Sequence, residues 1–421
     1  MQVYKFGGAS IKDADAIKNV VSIITQHPSG NLLVVISAMG KTTNALELVA
    51  KAFYQNKNEE AIALFTQIKN DHNAIALQLL VTALATTQLR LNDLYTEVEW
   101  LLHDKPVRTY NYYYDQIVSI GELLSSTLVS AYCSEMGINN TWHDIRDSLR
   151  TNNTFRAADV DIAFTTEKVK ALQQSVFCNN RVVLTQGFIG CTQENETTTL
   201  GREGSDYTAA LLSQLLGANS LTIWKDVAGV LNADPKIITN AQLIPQLNYA
   251  EIIEMAYYGA QVIHPKTIKP LHNAAIPMYV KCFNNPKLTG TLINNLPSIN
   301  LPSIIVHQYN QVLITIRTAD YSFINGAATT SINHLLIQCN ILPTLTQLGA
   351  LAMSICVHDD EEKINQFTSL LAALFEVSIT RNLLLITIRH HNKVNINVLI
   401  NTKNCLLQQI TPTTYQGLLA Q

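Results

Sequence analysis

The chain has 421 residues, 47% of them hydrophobic and 14% charged, with a formal net charge of −3. That length points to two or three domains at roughly 100 to 200 residues each, and the weak charge argues against a nucleic-acid face or a polybasic membrane surface. A small-molecule partner fits better. The seven cysteines, at 133, 178, 191, 282, 339, 356 and 405, form no CxxC pair. They read as reduced core residues of a cytoplasmic protein, with no metal cluster. The N-terminus lacks a basic-then-apolar signal and no apolar run reaches the ~18 residues of a membrane span, so neither secretion nor membrane insertion is expected.

The chain opens with a short strand, residues 2–6, running into Gly7-Gly8 and then an amphipathic helix over 11–24. A strand, a paired-glycine turn and a helix make a corner for an anion, with Lys5 as a mobile positive charge. The Walker A spacing is absent, so the corner reads either as a plain structural turn or as a phosphate site. Residues 32–36 form an apolar run suited to a buried parallel strand. It delivers Ser37 and, after Gly40, Thr42, Thr43 and Asn44 to a loop, with Thr42 or Thr43 as cap of a helix from Ala45.

Residues 45–102 carry a helical pattern without evident chemistry, and four tyrosines in 110–114 form an aromatic packing surface. Glu122 stands among apolar and small residues, where a buried carboxylate needs a cation or donors. Either a helix cap or a substrate ammonium would satisfy it. Residues 182–186 form a further buried strand ending in Gly187 and Gly190.

Gly201-Arg202-Glu203-Gly204-Ser205-Asp206 precedes Ala209, Leu212 and Leu216 at helical spacing, which places Ser205-Asp206 at the N-cap. Free N–H groups at such a helix start suit an anion, and the Arg202 guanidinium can hold a carboxylate bidentately. A strand over 220–224 then delivers a loop carrying Lys225, Asp226, Asp234 and Lys236. After a helix over 249–258, His264 precedes a proline and reads as structural. Every candidate ligand thus falls at the C-terminal end of a strand, the mark of an α/β binder of nucleotides or acids.

Lys5-Phe6-Gly7-Gly8, Ser37 with Thr43-Asn44, Gly121-Glu122, Gly187-Phe188-Ile189-Gly190, Gly201 to Asp206, Asp226-Val227 with Gly229, Asp234-Pro235 and Gly259-Ala260 with His264-Pro265 resemble, in order and spacing, the motif series of the aspartate kinases. The resemblance covers about the first 290 residues. It implies an amino-acid-kinase fold, a mainly parallel sheet between helices, over 1–290. The implied reaction moves the ATP γ-phosphoryl group to the side-chain carboxylate of L-aspartate, the first step toward lysine, threonine and methionine. By the same resemblance Lys5, Phe6, Gly7 and Gly8 face the ATP phosphates, with Mg²⁺ carried by those phosphates and no protein metal site. Arg202 takes the α-carboxylate and Glu122 the ammonium, while Ser37, Thr43, Asn44 and Ser205 orient the rest. Asp206 organises Lys5, and Lys225, Asp226, Leu231, Lys236 and Gln261 carry the nucleotide.

The chain departs from that pattern at several points. Glu203 stands where the motif commonly has glycine, Lys225 replaces Thr, Leu231 replaces Tyr, Lys236 replaces Arg and Gln261 replaces Lys. Lys225 is expected to compensate for the charge missing at Gln261. These changes keep open a catalytically weakened regulatory paralogue, or an acyl-phosphate kinase for glutamate or N-acetylglutamate. Beyond a Pro- and Asn-rich linker over 291–308, strands over 312–316, 352–357 and 383–388 with a helix over 361–375 resemble a pair of ACT modules. In the family such a region, here 309–421, binds an amino-acid effector such as lysine or threonine and supports a homodimer or dimer of dimers. The end at Gln421 shows no dehydrogenase domain, so a monofunctional enzyme is expected.

Overall fold

The computed structural model describes residues 1–421 except 28–29, 176, 178–181, 261, 299, 321, 373, 394–395, 397–403 and 421. Two compact units are formed: Met1–Val230 with Leu243–Ile253 and Val262–Ile299, and Leu231–Gln242 with Glu254–Gln261 and Asn300–Gln421.

The strands of the first unit are β1 (Gln2–Phe6), β2 (Leu32–Ile36), β3 (Asn140–Trp142), β4 (Val182–Gln186), β5 (Ile189–Cys191), β6 (Thr197–Thr199), β7 (Ser220–Lys225), β8 (Gln246–Asn248), β9 (Met278–Cys282) and β10 (Thr291–Asn294). Helices along this part of the chain are α1 (Ala14–Thr25), α2 (Thr42–Tyr54), α3 (Asn58–Leu79), α4 (Leu84–His103), α5 (Tyr110–Val118), α6 (Ile120–Glu135), α7 (Ile162–Ser175), α8 (Gly204–Leu215), α9 (Tyr249–Tyr257) and α10 (Pro265–Asn273). Eight strands make one sheet in the order β3-β4-β2-β1-β7-β9-β10-β8, parallel except at β9–β10, while β5 and β6 form a separate hairpin.

A parallel sheet covered on both faces needs strands apolar throughout. All five residues of β2, Leu-Leu-Val-Val-Ile, are buried, each worth about 1.5–3 kcal/mol relative to exposure. The helix expected over 11–24 starts later. Gly8–Ile11 is a short 3-10 turn, and α1 begins at Ala14, where the Asp13 carboxylate accepts the Ala16 N–H. Ile17, Val20, Val21 and Ile24 then bury the inner face.

The helical stretch expected over 45–102 divides into α2, α3 and α4. The tyrosine cluster opens α5, where Tyr113 packs edge-on against Phe53 with centroids 5.1 Å apart. Helices α5 and α6 together, Tyr110–Glu135, have the length and hydropathy of a membrane span, but 83% of the most apolar window is buried inside the protein. They serve as a core element.

The second unit holds a six-stranded antiparallel sheet of β11 (Ile304–Arg317), β12 (Leu345–Leu348), β13 (Ala352–His358), β14 (Glu376–Arg389), β15 (Cys405–Ile410) and β16 (Thr414–Ala420), in the order β12-β13-β11-β14-β16-β15. Helices α11 (Gly326–Gln338) and α12 (Glu361–Leu371) bury Ile332, Leu336, Ile364 and Phe367 against Val312, Ile314, Ile316 and Ile355. Both long strands exceed the apolar runs visible in sequence. Polar residues interrupt β11 at a register shift between Gln308 and Gln311, with Asn310 at φ 55°, and Asn382 in β14 has φ 59°. Such irregularities continue a strand while breaking its alternation.

Candidate active site

In-register pairing sets the site. Phe6 lies opposite both Ile36 and Trp224, and Ile36 lies opposite Gln186. Four parallel strands therefore end level, and their loops, carrying Gly7-Gly8, Ser37, Gly187 and Lys225-Asp226, emerge along one edge. A cleft of about 690 Å³ opens there, in the position where open α/β sheets bind ligands.

Lys5 is 8% exposed, and its Nζ lies 2.6 Å from Asp206 Oδ1 in the first turn of α8. Burial alone would push the Asp206 carboxyl up, but Lys5 and then Lys225 outweigh it and hold it below its ordinary value. Beside this pair the turn is compressed. A Cβ on Gly8 would stand 2.7 Å from Gly40 O and 2.8 Å from Ala38 O, so only glycine lets the two loops meet.

The α8 start differs from the expected Ser205-Asp206 cap. The helix starts two residues earlier, with Gly204 N–H donating to Gly201 O, and Glu203 takes the N-cap position at φ 53°, ψ 27° without a side-chain cap bond. Ser205 and Asp206 are thereby moved into the first turn and line the cleft. A Cβ on Gly187 would be 2.6 Å from Ser205 Cα, which packs β4 directly on the helix start. Glu203 holds a left-handed conformation at a cost of about 1–2 kcal/mol, and its Oε2 is buried without a hydrogen-bond partner among the described residues.

Glu122, in the first turn of α6, is 3% exposed. Its Oε1 accepts the Ala38 N–H at 3.2 Å, whereas Oε2 is buried without a hydrogen-bond partner among the described residues. Burial raises its carboxyl to about 8 against the opposing pull of the Ala38 N–H and Lys5. A buried acid with one unsatisfied oxygen facing a cleft is a receptor for a cation.

Of the other expected site residues, Ser37, Thr43, Asn44, Gly7, Arg202, Lys225 and Asp226 line the same cleft. Neither Thr42 nor Thr43 caps a helix from Ala45, because α2 already begins at Thr42 after Lys41. Arg202 is exposed. The Lys225 ammonium donates to Val262 O. Phe6 does not enter the cleft: its ring is fully buried and stacks on Trp224, with centroids 5.9 Å apart and planes 4° apart. Leu231 and Lys236 belong to the second unit, and Gln261 lies outside the described residues. His264 is a helix cap, its Nδ1 accepting the Lys266 N–H.

Phe188, from the Gly187 to Gly190 motif, also lines the cleft, whereas other lining residues escaped the sequence reading, among them Tyr114, Arg156 and Thr199. Arg156 comes from a loop without periodic pattern. Tyr114 was visible only as part of an aromatic run, and Thr199 only as a polar loop residue. Asp115, fully buried beside Tyr114, accepts hydrogen bonds from Arg156 N, Thr199 N and Thr199 Oγ1 at 3.0, 2.8 and 2.7 Å. Burial raises its carboxyl to about 6 despite those bonds.

A doubly flanked parallel sheet with a lysine, paired glycines and an anion-ready helix start on one edge defines a phosphotransferase of small acids. The amino acid kinase family model matches residues 1–282. The chain is 35% identical over 317 residues to lysine-sensitive aspartokinase 3 of Escherichia coli K12, covering 75% of this chain and 69% of that protein. It is 34% identical over 297 residues to chloroplastic aspartokinase 1 of Arabidopsis thaliana, covering 69% of this chain but 51% of the relative. The crystal structure of E. coli aspartokinase III with aspartate and ADP, in the R-state, superposes with a TM-score of 0.82 at 29% identity, covering 100% of this chain and 96% of that one. The same enzyme with lysine and aspartate, in the T-state, gives 0.82 at 28% identity with the same coverage. The chain therefore belongs to the amino acid kinase family, and within it to the aspartokinases.

Proposed function

We propose that this protein is an aspartate kinase, transferring the ATP γ-phosphoryl group to the side-chain carboxylate of L-aspartate to give 4-phospho-L-aspartate and ADP. The observation that carries the reading is Glu122. A buried carboxyl with one oxygen unpartnered among the described residues shares one cleft with Arg202 and the Lys5–Asp206 pair. That set matches an amino acid bearing an ammonium and two carboxylates, next to a phosphate donor.

In this mechanism Glu122 holds the substrate ammonium and Arg202 the α-carboxylate, while Ser37, Thr43, Asn44 and Ser205 orient the rest. A side-chain carboxylate oxygen forms the new P–O bond as the bond from the γ-phosphorus to the ADP oxygen breaks. The attacking group is already an anion, so no proton has to move. Lys5 and the amides of Gly7 and Gly8 screen the repulsion between the two anions, and alignment supplies the remaining acceleration. Asp206 keeps Lys5 in place. Lys225 and Asp226 face the nucleotide, with Leu231, Lys236 and Gln261 assigned to the same task by resemblance.

Asp206 is already paired with Lys5, and among the described residues no three His, Cys, Asp or Glu side chains gather for a metal. Mg²⁺ is assigned, by resemblance, to the ATP phosphates, where it would neutralise charge. Residues 1–290 together with β10 (Thr291–Asn294) act as the catalytic region, and the segment from β11 at Ile304 onward as an ACT-like regulatory and dimerisation region, sensing an amino acid such as lysine or threonine. A cytoplasmic place in amino-acid biosynthesis follows from this assignment.

A coupled ADP-release assay with aspartate, glutamate and N-acetylglutamate tests the proposal. Turnover is expected with aspartate; N-acetylglutamate has no ammonium for Glu122. Absence of aspartate-dependent ADP release at saturating ATP and Mg²⁺ overturns it.

A further inference from the structure

We infer that Arg156 is a second substrate-binding cation, closing on the α-carboxylate of the bound amino acid alongside Arg202. The inference rests on the aspartate kinase reading above and adds a specificity residue to it.

Three features support it. First, Arg156 lines the cleft, yet its backbone sits at φ 71°, a left-handed conformation that disfavours any side chain. Retaining a long cationic side chain there, where glycine would be relaxed, is a local cost that marks functional positions.

Secondly, the loop is held by a dedicated buried group. The Asp115 carboxylate binds the Arg156 N–H together with both the N–H and hydroxyl of Thr199. Next to Thr199 the chain leads through Leu200 to Gly201, whose absent Cβ would lie 3.1 Å from Arg156 O. One carboxylate and one close backbone contact therefore place Arg156 beside the turn that presents Arg202.

Thirdly, the guanidinium is poised without being locked. It lies 4.4 Å from the centroid of the Tyr114 ring, another cleft residue, and 3.8 Å from Glu47 on α2. At that separation, with both partners more than 40% exposed, the ion pair is weak. A desolvated substrate carboxylate would outcompete it, because bidentate charge-assisted hydrogen bonds are stronger than a solvated contact. Asp115 acts as a positioning residue for this arm.

The test compares Arg156→Gly, Arg156→Lys and Arg156→Gln with the wild type by steady-state kinetics, thermal melting and calorimetric titration of aspartate without ATP. Arg156→Gly removes the cation while relaxing the left-handed backbone, so its Tm is expected to be equal or higher. Its KM and Kd for aspartate should nevertheless rise about tenfold or more, as for loss of a charge-assisted hydrogen bond, with KM for ATP unchanged. Arg156→Lys should recover part of the loss and Arg156→Gln none. Isoasparagine, in which the α-carboxyl is an amide, should compete equally well against wild type and Arg156→Gly. Unchanged aspartate affinity in Arg156→Gly overturns the inference, as does an equal loss of ATP affinity. A wild type that binds aspartate without phosphorylating it overturns the proposed function alone. A wild type that does not bind aspartate overturns both.

Discussion

Lys5 Nζ and Asp206 Oδ1 lie 2.6 Å apart with both side chains at most 10% exposed, joining the end of the first strand to the first turn of a helix two hundred residues later. Lone buried ions are costly, and removing one member of a buried pair costs about 3–5 kcal/mol. The pair therefore couples the architecture of the cleft to its charge. A Cβ on Gly7 would stand 3.4 Å from Lys5 Nζ, so removal of Lys5 is expected to take away screening of the migrating phosphoryl group.

Lys5→Ala is accordingly expected to lower kcat by about 10²–10³-fold, with aspartate affinity by calorimetry within a few-fold of wild type. Asp206→Asn keeps the ammonium but loses its anchor and should fall between the two. Measurements belong below the melting temperature of each variant, since both break the buried pair. Wild-type turnover in Lys5→Ala removes that residue from phosphoryl transfer.

The raised carboxyl of Glu122 predicts a pH dependence with a definite sign. With its value at about 8, the ligand-free enzyme holds this proton at pH 7. Binding an ammonium favours the carboxylate, so aspartate binding should release a proton. The affinity should strengthen as pH rises from 6 toward 8, being about tenfold weaker at pH 7 than at its high-pH limit. Stability runs the other way. Between the unperturbed 4.5 and about 8 the folded protein keeps a proton that the unfolded chain has lost, so ligand-free stability should fall as pH rises through that window. Buffer-dependent calorimetric enthalpies read the proton, and Glu122→Gln should flatten both profiles while weakening aspartate. A pH-independent Kd in the wild type would falsify this role.

The fold was legible where periodicity and burial agree. The run at 32–36 is a fully buried strand, and the apolar face of α1 follows from Ile17, Val20, Val21 and Ile24. Loop chemistry after each strand was also legible, because level strand ends gather Gly7, Ser37, Asp226 and the α8 turn without further instruction. Phe6 shows the limit. The resemblance gives it an ATP-facing place, which its backbone alone can fill because the ring is buried and stacked on Trp224. Arg156 and Asp115 could not be found by local pattern, since what unites them is a hydrogen bond spanning 41 positions. The long strands β11 and β14 were shortened in sequence by polar residues at their irregular points.

Glu203 offers a test in which stability and activity should improve together. Its φ of 53° is left-handed and its Oε2 is a buried oxygen without a hydrogen-bond partner among the described residues, on a side chain lining the cleft. Glycine relieves the backbone by about 1–2 kcal/mol and returns about 0.5–1 kcal/mol as unfolded-state entropy. Glu203→Gly should thus raise Tm by up to about 2 °C. Removal of the carboxylate should lower KM for ATP several-fold, since a negative charge no longer opposes the phosphates. Glu203→Gln separates the two effects: it keeps the strained backbone and discards the charge, so KM should fall while Tm gains less. A Glu203→Gly variant with lower Tm and unchanged KM overturns both expectations.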